Sequence, residues 1–156
     1  MALQSYSSWM PIPLAVHDTP LKSDYSTLPY LIPWRTIQDR RGDLTVAEFP
    51  HSLPFQPERI YWIHGIPTGA HRGGHAHLEV DEIAVPVQGA FTVSLQSCAR
   101  ERLEFRLDRP DTGLFLPHGW WREIHSYEPD TVCLVFSSGP YDELEYMRDP
   151  DAFFIQ

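Results

Sequence analysis

Gly69-Ala70-His71-Arg72-Gly73-Gly74-His75-Ala76-His77, followed by Glu82 and Gly89, is the stretch around which this chain is organised. Residues i and i+2 of an extended strand face the same side. His75 and His77 therefore present two imidazoles to one surface, about 7 Å apart by strand rise. The glycine-flanked Arg72 brings a fixed positive charge beside them.

Short apolar or alternating runs lie on both sides of this segment. Arg59-Ile60-Tyr61-Trp62-Ile63-His64 is rich in β-branched and aromatic residues, as strands are. Residues 82–88 and 90–97 pivot on Gly89. Leu103, Phe105 and Leu107 then alternate with Arg102, Glu104 and Arg106, which predicts a strand with one wet and one buried face. Gly113 to Pro117, Trp121 to Ser126 and Thr131 to Ser137 complete the set, and the last is apolar on both faces, so a central position is expected. Upstream, Trp34 to Ile37 and Leu44 to Phe49 predict a hairpin about the turn Asp39-Arg40-Arg41-Gly42. About eight to ten short strands with Gly, Pro and Asp turns predict an all-β sandwich or barrel of the jelly-roll kind. The tail from Tyr141 to Arg148 reads as a helical turn or two that Pro150 ends.

A chain of 156 residues has the length of one domain. Residues 1–30 lack a helical or alternating period and carry Pro11, Pro13, Pro20 and Pro29, so they read as an N-terminal extension or arm. Residues 31–156 form the domain. A formal charge of −9 repels polyphosphate backbones, which disfavours nucleic acid as a partner. A small phosphorylated ligand remains compatible where arginines are focused locally. Cys98 and Cys133 make neither a disulfide framework nor a C-x-x-C pair, as expected of reduced thiols in the cytoplasm. No apolar run reaches membrane-spanning length and no signal-peptide pattern opens the chain, so a soluble cytoplasmic protein is expected.

Written as spacing, the central stretch is G-x5-H-x-H-x4-E-x6-G, which resembles the first signature motif of the cupin superfamily. Gly69, His75, His77, Glu82 and Gly89 occupy its fixed positions. In many cupins that motif gives two histidines and a carboxylate to a transition metal, and a second motif adds another histidine. Here the second motif corresponds to Pro117-His118-Gly119-Trp120-Trp121, with Arg122 where the ligand stands. A guanidinium stays protonated and cannot ligate.

The wider context resembles one family within the cupins. Arg41-Gly42-Asp43-Leu44, Arg59 to Ile63, Arg72 to His77, Gly113-Leu114 with Trp121, and Tyr141-Asp142-Glu143 through Tyr146 and Arg148 to Phe153 occur in one order. Over about residues 34 to 154 they resemble the nucleotide-sugar 3,4-ketoisomerases, also described as WxcM-like cupins. The resemblance implies a metal-independent homodimer without a cofactor that moves the keto group of a dTDP-4-keto-6-deoxyhexose from C4 to C3. It implies His75 and His77 as the acid–base pair, with Arg72 and Tyr61 lining the ligand site. Three positions depart from the family pattern: Leu78 stands for a usual lysine, Glu82 for a usual glutamine and Arg122 for a common histidine.

The residue types suit this chemistry. Moving a ketone by one carbon requires removal of a proton from the neighbouring C–H, an enediol, and return of a proton to the other carbon. Imidazoles titrate near operating pH and serve both steps. Arg72 would neutralise phosphate or the developing enolate. Tyr61 would orient the sugar, and Glu82, paired with Arg72 or Arg122, would tune a histidine. Arg122 and Trp121 complete the expected substrate contacts. Two other functions use the same residues: a metal-dependent cupin such as a dioxygenase, with His75, His77 and Glu82 as ligands, and a non-catalytic cupin that binds sugar nucleotides. Arg59 reads as a solvated or interface charge, and Tyr141-Asp142-Glu143 as an anchor for the tail.

Overall fold

The computed structural model describes residues 28–155, so nearly all of the expected extension at residues 1–30 lies outside the described residues. In chain order the strands are β1 (Tyr30–Pro33), β2 (Arg35–Ile37), β3 (Leu44–Val46), β4 (Arg59–Ile63), β5 (Arg72–His77), β6 (Glu82–Gln88), β7 (Phe91–Ser97), β8 (Arg102–Leu107), β9 (Thr112–Leu116), β10 (Trp120–His125), β11 (Val132–Ser137) and β12 (Tyr146–Met147). A 3-10 turn at Glu143–Glu145 precedes β12, and a short helix α1 (Pro150–Phe154) follows it.

Ten of these strands form two five-stranded antiparallel sheets, in the orders β1-β9-β6-β11-β4 and β12-β5-β10-β7-β8. Strands β2 and β3 make the expected hairpin, with Arg35 opposite Val46. Between the sheets Phe91, Val93 and Leu95 of β7 meet Leu114 and Leu116 of β9, with Ala84, Cys133 and Val135 filling the same core. The opposite face of β6 is also covered, because Ile83 and Val85 pack with Trp34, Leu53 and Phe55. A strand buried on both sides reads as a continuous apolar run, as residues 83–87 do. Strand β11 lies inside its sheet between β6 and β4, in keeping with its apolar composition.

Gly89 makes the turn between β6 and β7 with φ at +69°, and a Cβ there would lie 2.4 Å from Thr131 Oγ1. Both the left-handed backbone and the close approach require glycine.

Three boundaries differ from expectation. The chain enters the first sheet at Tyr30, because β1 is an edge strand and an edge tolerates Pro33. The second hairpin strand stops at Val46, and the chain turns through Ser52, whose N–H donates to the Glu48 carbonyl at 2.7 Å. Pro150 starts a helix rather than ending one: Asp149 accepts from the Asp151 and Ala152 amides, and proline suits a first helical turn that lacks N–H partners. Among the described residues no helix is long and apolar enough to cross a membrane.

Candidate active site

The alternation of β4, β6 and β10, together with an irregularity of β5 at Gly73 and Gly74 that turns Arg72 and His75 to the same side, brings the polar groups to one place between the sheets. Strand β4 turns Arg59, Tyr61 and Ile63 inward while Ile60 and Trp62 face out, at 52% and 60% exposure. Strand β10 turns Trp120, Arg122 and Ile124 inward. Glu82 opens β6 opposite Ser137 of β11, and Arg122 pairs across the ladder with His75 of β5. Gly73, with φ at +88°, allows this approach: a Cβ would lie 2.5 Å from the Arg122 carbonyl oxygen.

The result is a cavity of about 420 Å³. Tyr61, Arg72, His75, Glu82 and Arg122 give its polar wall, and Ile63, Ile124 and Val135 part of its apolar one. His77 is outside that wall. It is 1% exposed and lies behind His75, the two ring centroids 5.1 Å apart and the planes nearly perpendicular. The two histidines share a strand, as expected, but only the first faces the space where a ligand fits.

Glu82 is the hub of the buried charges. The Tyr61 hydroxyl donates to its Oε1 at 2.9 Å, and Arg122 Nη1 donates to its Oε2 at 2.9 Å. Arg59 Nη2 stands 3.6 Å from Oε1. His77 Nε2 stands 3.5 Å from Oε2, an electrostatic contact rather than a formed hydrogen bond. Of the two arginine partners weighed from sequence, Arg122 takes the carboxylate. Burial pushes the Glu82 pKa up, but His77, Arg122 and Tyr61 outweigh it and hold the carboxyl at about 2. Burial and the neighbouring carboxylate push the Tyr61 hydroxyl well above its ordinary range, so it stays protonated. Burial, reinforced by the positive charge of Arg122, brings His75 down to about 4. His75 is therefore a neutral imidazole at pH 7.

This donor set does not fit a metal at His75, His77 and Glu82. Both carboxylate oxygens are engaged by protein donors and a guanidinium touches one of them. Among the described residues no group of three or more His, Cys, Asp or Glu side chains is arranged to hold a metal ion.

Trp121 requires a correction. It projects from the other face of β10, where it packs on Ala76, Phe153 and Phe154, with ring centroids 5.8 and 6.0 Å from the two phenylalanines. Since Arg122 faces the cavity, its neighbour on a strand has to face away. Arg59, read from sequence as a solvated or interface charge, belongs to the site: its guanidinium lies over the Tyr61 ring at 5.1 Å. The spacing Arg59-x-Tyr61 was the available signal. Tyr146, whose ring reaches both imidazoles, had no such local signal.

Two antiparallel sheets around a polar, histidine-bearing cavity define a small cupin domain. The family model described as "FdtA: WxcM-like, C-terminal" matches residues 29–156, and the chain belongs to that family. It is 33% identical over 123 residues, 79% of this chain and 88% of the relative, to a TDP-4-oxo-6-deoxy-alpha-D-glucose-3,4-oxoisomerase of Aneurinibacillus thermoaerophilus. Among solved structures it resembles a variant of the 3,4-ketoisomerase QdtA from Thermoanaerobacterium thermosaccharolyticum in complex with TDP-4-keto-6-deoxyglucose. That match has a TM-score of 0.78 and 28% identity, and covers 81% of this chain and 91% of the other. A 3,4-ketoisomerase from Helicobacter canadensis matches with a TM-score of 0.77 and 31% identity over 81% of this chain and 95% of the other. The chain is a homologue of the TDP-sugar 3,4-ketoisomerases.

Proposed function

We propose that this protein isomerises a TDP-linked 4-keto-6-deoxyhexose, moving the keto group from C4 to C3, with His75 as the proton carrier. The observation that carries this reading is the His75 imidazole on the cavity wall, paired across the ladder with the buried Arg122, whose charge together with burial favours the unprotonated ring. A base must be unprotonated to accept, and once protonated in such surroundings it is a ready donor.

In this mechanism His75 takes the proton from C3 while water delivers one to O4, giving a neutral enediol. His75 returns the same or an exchanged proton to C4 while O3 gives its own to water, so the proton count closes and no oxidant or reductant is consumed. Negative charge develops on the oxygens during each transfer. Arg122 Nε, buried without a hydrogen-bond partner among the described residues, is the donor left to meet it. Tyr61, held by Glu82, orients the sugar, and Arg72 at the exposed rim meets the diphosphate. His77 supports His75 and Glu82 from behind. The protein acts as a cytoplasmic homodimer without a cofactor, and light scattering of the purified chain measures the dimer.

The test is proton NMR of TDP-4-keto-6-deoxyglucose in D2O with metal-stripped protein. A 3-keto product carrying deuterium at C4 is expected. Turnover only after metal is restored would replace the mechanism with a metal-dependent one, and binding without turnover or deuterium entry would leave a sugar-nucleotide-binding module.

A further inference from the structure

We infer that Tyr146 is a positioning residue, its ring wedged against both imidazoles so that His75 stays in its reactive orientation. The inference rests on the isomerase reading above.

Three observations converge. The Tyr146 ring centroid is 4.9 Å from that of His75 and 4.5 Å from that of His77, tilted 58° and 56° to them. Second, the polar ties of the imidazoles are few: a Gly73 backbone contact at His75 and the 3.5 Å approach of His77 Nε2 to Glu82 Oε2. His75 Nδ1 and both nitrogens of His77 are buried with no hydrogen-bond partner among the described residues. With so few polar ties, each ring is oriented in large part by what packs on it, and Tyr146 packs on both.

Third, the tail that carries Tyr146 is itself tied down at several points. Tyr146 sits opposite His77 in the β12–β5 ladder. The Glu145 carboxylate accepts from the Glu79 and Val80 amides at 3.0 and 3.1 Å, and its carbonyl accepts from Leu78 N at 3.0 Å. Glu143 pairs with Arg148 at 2.9 Å and also accepts from the Tyr141 hydroxyl. The Arg148 guanidinium lies 4.6 Å from the centre of the Tyr146 ring. The ring is thus held between the histidines and a cation.

Tyr146 lies behind the cavity wall, against His75 and His77. A positioning role then has a definite kinetic form. Losing the ring lowers kcat, because a misplaced base reacts slowly, while KM and nucleotide affinity hold.

The experiment compares full-length wild type, Tyr146→Phe, Tyr146→Leu and Arg148→Ala for isomerisation kinetics, calorimetric affinity for TDP and thermal melting. Tyr146→Phe keeps the ring and is expected within about threefold of wild type in kcat. Tyr146→Leu is expected to lose on the order of 30- to 100-fold in kcat, with KM and the TDP Kd within about threefold. Should the leucine variant fail to fold, Arg148→Ala carries the test, with a smaller kcat loss at unchanged KM. Full kcat in Tyr146→Leu, an equal loss in the phenylalanine variant, or a parallel loss of TDP binding would overturn the inference. A wild type that does not isomerise overturns the proposed function instead. The inference then stands or falls on the His75 ring resonances of 15N-histidine-labelled protein: broadened or averaged signals in Tyr146→Leu support it, and unchanged ones overturn it.

Discussion

Arg122 Nη1 meets Glu82 Oε2 at 2.9 Å with both side chains almost wholly buried, and this contact ties β10 of one sheet to β6 of the other. Arg122 Nη2 also donates to the Pro117 carbonyl at 3.1 Å, so a single guanidinium holds a carboxylate and a backbone turn.

Removing one partner of such a pair strands a buried charge. Arg122→Met is therefore expected to cost about 3–5 kcal/mol in urea denaturation, whereas the double change Arg122→Met with Glu82→Met is expected to recover much of that. A single variant as stable as wild type would show that the pair is not a structural tie.

Acid sensitivity follows from two buried groups. His75 falls from an ordinary 6.5 to about 4, so the unfolded chain binds this proton more readily between those values. Its contribution to stability is complete above pH 6.5 and is lost as pH falls toward 4. Glu82 falls from 4.5 to about 2, so its contribution is complete above about pH 4.5 and is lost as pH falls through 2. Melting temperature is expected to decline from pH 6.5 downward, while kcat/KM, which needs neutral His75, keeps its plateau to near pH 4. An activity midpoint near 6.5 would place the reactive imidazole in ordinary solvation.

Trp121 separates packing from chemistry. Trp121→Ala opens the contact with Phe153 and Phe154 and is expected to cost about 3–5 kcal/mol in stability. KM for the sugar nucleotide should stay within about twofold below the melting transition, since the indole is on the far side of β10 from the cavity. A large KM change in folded protein would return Trp121 to the ligand.

His75, Glu82 and Arg122 were readable in the sequence because the motif spacing is local, and Arg72 and Tyr61 because the wider order of motifs resembles one family. That Arg72 and His75 share a wall despite opposite strand parity follows from the irregularity at Gly73 and Gly74. Strand alternation shows why Trp121 and Arg122 cannot both face one cavity, and why Arg59 accompanies Tyr61. The burial of His77 depends on what stacks over β5, a contact with a segment 69 residues away that no local pattern records. Strand β1 escaped for a similar reason: prolines look like breakers until the strand is known to be an edge. Pro150 was ambiguous because proline both stops a helix and starts one, and only the capping carboxylate of Asp149 decides.

The short pairing of Tyr146 and Met147 with β5 has a consequence for solubility. Without it, β5 would be the last strand of its sheet, offering unpaired amides and carbonyls at Ala76 and His77 to any neighbouring chain. The two-residue strand caps that template, and the exposed charges of Arg148 and Asp149 follow directly after it. Chains cut after Gly139 are expected to self-associate through this uncovered border even where the rest of the barrel has formed.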